Sequence, residues 1–146
     1  FAAFWRWLME LRANAHAPGQ TFAAYCYSAH GENHWMRMSA QRFREVDERE
    51  VEEFISSPEW VDMFAHVKRS FAGPFGLGLK VVAPEAGFTW PEEDFDGEES
   101  VNARREALAG DLVARQRLLD YNSGDVQATR AVREWMDAGA PGVKAL

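Results

Sequence analysis

The sequence predicts an α/β fold that is mostly helical, with about two parallel strands. Three observations lead there. The chain opens on an amphipathic helical pattern. An uncharged aromatic segment without helical period follows. A second short apolar segment then recurs between helices, so helix and strand alternate before a run of closing helices. At 146 residues, 47% hydrophobic and 27% charged, the composition is that of a globular chain rather than a disordered one. The whole of 1–146 reads as a single domain with its own core.

Each element follows from its residues. Phe1, Phe4, Trp5, Leu8 and Leu11 recur at helical spacing, which predicts a helix over 1–15 that Pro18-Gly19 stops. Thr21 to Ala29 carries no charge, as a buried strand of a parallel sheet does. A helix over about 32–42 comes next, then an acidic turn and a short helix over 47–55 that Pro58 breaks. Trp60-Val61-Asp62-Met63-Phe64 reads as a second short strand leading into a helix that runs to about Phe71. Gly73, Pro74, Gly76 and Gly78 form a loop, and Lys80 to Ala86 give one or two helical turns. The stretch 90–99 holds six acidic residues in ten and reads as a solvated loop. Residues 101–110, 112–120 and 125–138 read as three helices. Two strands are few for a free-standing parallel sheet covered by helices, so more strands are expected upstream.

Composition bounds the function. No apolar run reaches membrane-spanning length, and charges are scattered through every segment, which argues against a span or an interfacial helix. The lone Cys26 has no partner for an internal disulfide, and no signal peptide opens the chain, so a reducing, cytoplasmic setting is expected. The chain begins at Phe1 inside an amphipathic pattern and reads as an excised domain. The net charge of −7 argues against a module that holds nucleic acid by charge alone. A nuclease that clamps divalent metals nevertheless needs clustered carboxylates, and bound metal inverts the local field.

The most informative stretch is Leu118-Leu119-Asp120-Tyr121-Asn122-Ser123-Gly124-Asp125-Val126-Gln127-Ala128-Thr129. Two readings of it stand. If helical geometry begins at Tyr121, then Tyr121 and Asp125 share one face, where a carboxylate can hold a metal and a phenol can orient a water. Alternatively, Asn122 caps a helix and Asp125 is the acid of its first turn.

Tyr-Asn-x-x-Asp-Val-x-Ala-Thr over 121–129 resembles the third motif, Tyr-x-x-x-Asp, of the DEDD superfamily of 3′–5′ exonucleases. The nearest flavour is the YprB-type ribonuclease H-like domain at the C-terminus of RecB-like nucleases. Three more segments resemble that family in order. They are Tyr25-Cys26-Tyr27-Ser28-Ala29-His30-Gly31-Glu32-Asn33 as the second motif, the strand Trp60-Val61-Asp62-Met63, and Gly78-Leu79-Lys80-Val81-Val82-Ala83-Pro84 with Gly87-Phe88.

The resemblance implies a ribonuclease H-like fold, incomplete because its opening strands are missing. It implies a metal-dependent enzyme hydrolysing phosphodiesters at a DNA or RNA 3′ end, with two Mg²⁺ or Mn²⁺ ions held by four carboxylates. By that likeness Glu32 and Asp125 are metal ligands, and Tyr121 positions the attacking water. Lys80 would contact the nucleic-acid backbone, and His30 would lie beside the site. Flanking nuclease or helicase domains are the implied neighbours. The family's first motif, an Asp-x-Glu on the opening strand, has no counterpart here, so these residues alone are expected to be inactive. Two other classes remain open, a non-catalytic module that positions nucleic acid and a helical protein-interaction domain.

Other constellations are weaker. His30-Gly31-Glu32-Asn33-His34 lacks the spacing and partner pair of a zinc site. Gly76-Leu77-Gly78-Leu79-Lys80 fits neither nucleotide fingerprint. Asp62 reads as a hydrogen-bonded structural acid, and Trp35 or Trp90 could stack a base.

Overall fold

A computed structural model describes residues 1–92, 95 and 97–143. The chain divides into two compact units, Phe1–Ser70 and Phe71–Leu146.

The first unit runs α1 (Ala2–His16), β1 (Ala24–Cys26), α2 (Ala29–Phe43), α3 (Glu48–Ile55), β2 (Trp60–Asp62) and α4 (Met63–Ser70). The strands pair in parallel, with Ala24 opposite Trp60, Tyr25 opposite Val61 and Cys26 opposite Asp62. The strand expected over 21–29 is therefore only three residues long. Ser28 turns the chain into the left-handed region (φ 68°), and α2 begins at Ala29 rather than near Glu32. Trp5 and Leu8 of α1, Met36 and Ala40 of α2, and Val51, Phe54 and Ile55 of α3 form the core. Trp5 meets Phe54 edge-on at 5.7 Å, and Phe54 meets Trp60 at 5.8 Å. Burying a side chain such as Val51 or Phe54 contributes about 1.5–3 kcal/mol. Asp47 caps α3 by accepting from the Arg49 amide at 2.8 Å.

The second unit comprises α5 (Leu79–Val82), α6 (Gly97–Leu108) and α7 (Leu112–Asp137). Two expectations are corrected. Residues 112–120 and 125–138 are not separate helices but parts of one unbroken 26-residue helix. Asn122, Ser123 and Gly124 are poor helix formers, but tertiary packing overrides their propensity. Gly124 is buried against the Trp90 ring, where a side chain would not fit. The acidic stretch is also not a solvated loop throughout, because Trp90 and Phe95 are buried. Its end already belongs to α6, so Glu98 and Glu99 sit in a first helical turn, where the helix dipole favours them. Residues 93, 94 and 96 of that stretch lie outside the described residues. The α6–α7 contact is built on Phe95, Ala103 and Ala114, with Ala107, Leu118 and Tyr121 packed around them. Asp111 caps α7 through the amides of Val113 (2.8 Å) and Ala114 (3.0 Å).

Candidate active site

In the first unit the predicted residues gather where the parallel strands end. Polypeptide leaving β1 enters α2, whose first turn carries His30 and Glu32, both solvent-exposed. Polypeptide leaving β2 enters α4 directly after Asp62. Asp62 Oδ1 accepts two backbone N–H groups at 2.9 Å each, one from Ser28 and one from Phe64. Burial pushes the Cys26 thiol up to about 12, and the negative charges of Glu32 and Asp62 add to the effect. Burial likewise raises the Tyr27 phenol to about 12, with Asp62 contributing. Glu32 and Asp62 thus share one electrostatic neighbourhood around Cys26. Asn33, next to Glu32, accepts from the Trp60 indole at 2.7 Å.

In the second unit α7 decides the local geometry at Tyr121 and Asp125. Helix runs continuously from Leu112, so Asn122 is not a cap, and the two side chains stand one turn apart on one face. The Trp90 indole N–H donates to Asp125 Oδ1 at 3.0 Å. Burial raises the Asp125 carboxyl above its ordinary value, while the Trp90 hydrogen bond and the Lys80 charge pull the other way. Lys80 Nζ donates to the Phe95 carbonyl at 2.8 Å, and lies 5.3 Å from the Tyr121 ring centre and 5.7 Å from that of Trp90. Tyr121 also packs on the Phe95 ring at 5.1 Å. A cavity of about 280 Å³ opens beside these groups, bordered by Trp90, Tyr121, Asp120, Ser123 and Gln127. Arg117, at its edge, is held by Glu92 at 2.7 Å and covers Phe95.

The structure thus brings Tyr121, Asp125 and Lys80 together in one unit, and places His30 and Glu32 in the other. Sequence reasoning marked Asp62 as a hydrogen-bonded acid without its partners, Ser28 and Phe64, and did not find the role of Trp90. The one available signal for Trp90 was an isolated glycine inside a helical pattern, which marks a close approach by another group. It does not say which group approaches.

The model of the RNase H superfamily matches residues 9–137. This chain belongs to the RNase H superfamily. No curated protein and no solved structure matches it. Membership supports a nuclease kind of activity, hydrolysis with nucleic acid as substrate, and agrees with a mostly helical α/β fold holding two parallel strands. The superfamily typically uses divalent metals. Asp125 is a suitable single donor, since a half-buried carboxylate gains from a cation. Among the described residues, however, no group of three or more His, Cys, Asp or Glu side chains is placed to hold an ion. The described donors therefore fall short of a metal cage. Also among the described residues, no helix is long and apolar enough to cross a membrane.

Proposed function

We propose that this chain is a YprB-type domain of a RecB-like nuclease, and that it acts as a cytoplasmic metal-dependent 3′–5′ exonuclease on DNA or RNA. The observation that carries this reading is the pairing of Tyr121 and Asp125 on one face of an unbroken helix, with Asp125 held by Trp90. In this proposal Asp125 and Glu32 are ligands of Mg²⁺ or Mn²⁺, and further carboxylates come from outside these 146 residues. When bound, two such ions supply a hydroxide nucleophile and neutralise charge on the scissile phosphate. Tyr121 orients the attacking water. Lys80 has ammonium protons beyond the one it gives to Phe95, and these, with His30, serve the nucleic-acid backbone as positioning contacts. Flanking nuclease or helicase domains deliver the 3′ end, because a chain of net charge −7 exerts little long-range attraction on phosphate.

A second reading is a module that holds a nucleic-acid end without cutting it, in keeping with a net charge of −7 that leaves recruitment to other domains. Asp125→Asn in the full-length protein separates the two. Release of 3′ nucleotides from end-labelled single-stranded DNA and RNA, with Mg²⁺ or Mn²⁺ present, should fall about 100-fold or more, the scale of losing one positioned reactive group. Unchanged activity would remove Asp125 from the site. A wild-type protein that binds the strand but releases nothing would establish the passive module.

A further inference from the structure

The start of α2 is anchored in an unusual way. Ser is among the preferred N-cap residues, yet an N-cap normally sits in the extended region and uses its side chain to accept an amide of the first turn. Ser28 does neither. It sits at φ 68° and ψ 71°, and its side chain makes no cap hydrogen bond. A left-handed conformation is unfavourable for an L-residue other than Gly, Asn or Asp, so something outside the local sequence must hold it. The Ser28 amide is bound by Asp62, 34 residues away and across the sheet. The same Oδ1 atom takes the Phe64 amide at the start of α4. Because Cys26 pairs with Asp62 in the parallel register, this carboxylate stands beside the point where β1 gives way to α2.

We propose that Asp62 is a positioning residue. It clasps the two strand-to-helix junctions, fixes the left-handed turn at Ser28, and so sets where α2 begins and where Glu32 is presented. The proposal rests on the nuclease reading for the purpose of that placement, since Glu32 is its second-motif ligand. It does not make Asp62 a ligand. What the clasp requires is an acceptor oxygen at Oδ1, not a charge. Asparagine supplies that oxygen and alanine does not.

Asp62→Ala, Asp62→Asn, and Asp62→Ala combined with Ser28→Gly in the full-length protein test this in two ways. The first needs no activity. Amide hydrogen exchange at Ser28 and Phe64 should accelerate about tenfold or more in Asp62→Ala, the scale of losing a charge-assisted hydrogen bond, and stay near wild type in Asp62→Asn. Unchanged exchange in Asp62→Ala overturns the clasp. The second is turnover. In Asp62→Ala, kcat for 3′ nucleotide release should fall about tenfold, with KM for the strand nearly unchanged, because Glu32 is misplaced while strand binding persists. Asp62→Asn should restore most of kcat. Adding Ser28→Gly to Asp62→Ala should restore part, since glycine takes the left-handed turn without a steric penalty. Where Asp62→Ala alone does not fold, the Ser28→Gly background supplies the folded comparison. If Asp62→Asn is as inactive as Asp62→Ala, the charge itself is required and the positioning role fails. A wild-type protein without nuclease activity defeats the nuclease reading, and the exchange measurement then decides the clasp alone.

Discussion

The two units differ in how their candidate chemistry relates to the side chains that hold them together. In Phe1–Ser70 three helices close on large side chains, with Val51 wholly buried and Phe54 only 2% exposed. In Phe71–Leu146 one cluster has Phe95 and two alanines at its centre, and Val82, Trp90, Ala128 and Val132 are buried as well, while Leu108 and Leu112 remain more than three-quarters exposed. Directional contacts there converge on the candidate site. Trp90 binds Asp125, Lys80 binds the Phe95 carbonyl, and Arg117 is clamped between Glu92 and the Phe95 ring. The first unit therefore keeps its stability and its candidate chemistry in different side chains, since His30 and Glu32 are exposed beyond the core. The second unit uses the same side chains for both.

The largest expected effect lies in the first unit. Phe54→Ala should cost about 3–5 kcal/mol in urea unfolding, because it removes a ring packed between Trp5 and Trp60. The same truncation at Leu112, which is 76% exposed, should fall within about 0.5 kcal/mol. Equal losses would show that burial does not set the cost at these positions.

Gly124→Ala tests the directional contacts. Alanine gains about 1 kcal/mol as a helix former, but its Cβ would stand 2.9 Å from Trp90 Cδ1 and 3.2 Å from Nε1. The indole cannot retreat without loosening its bond to Asp125, and overpacking of this kind costs about 1–3 kcal/mol. The net expectation is a loss of about 1 kcal/mol in thermal unfolding, with a shifted Trp90 indole N–H resonance. A stabilised variant would show that Trp90 is free to move.

The smallest effect concerns pH. A carboxyl whose folded value is raised contributes stability below its unfolded value, near 3.9, and that contribution is lost as pH rises through the folded value. Ionised Asp125 therefore burdens the unit at neutral pH. Asp125→Asn stays neutral and still accepts from Trp90, so its Tm should exceed that of wild type at pH 7. The gap should close as pH falls through the carboxylate range. A lower Tm at pH 7 would mean that the attraction of Lys80 outweighs burial. The same substitution is the one expected to cut turnover about 100-fold or more, which makes Asp125 a position where activity and stability oppose each other.

Much of this organisation is legible in the sequence. The spacing of Phe1, Trp5 and Leu8 predicts α1 to within a residue at each end, because amphipathic period depends only on local geometry. The alternation of helix and strand gives the parallel pair. What is not legible depends on distant contacts. Asn122-Ser123-Gly124 looks like a break because each residue disfavours helix, and only the ring of Trp90 explains why a glycine is needed there. The early start of α2 is hidden for the same reason, since the partner of Ser28 lies on another strand. The Tyr121–Asp125 spacing carries its meaning only once the helix between them is known to be continuous.

That continuity has a consequence for variation in this chain. Helix α7 is about 39 Å long, and each residue along it turns the next by about 100°. Inserting or deleting one residue between Tyr121 and Asp125 would swing the carboxylate a quarter-turn or more away from Trp90 and from the phenol. The three intervening residues are thus constrained differently in kind and in number. Asn122 is exposed and Ser123 borders the cavity, where its hydroxyl accepts from Gln127 at 3.0 Å, but the length of the segment cannot change at all without unmaking the site.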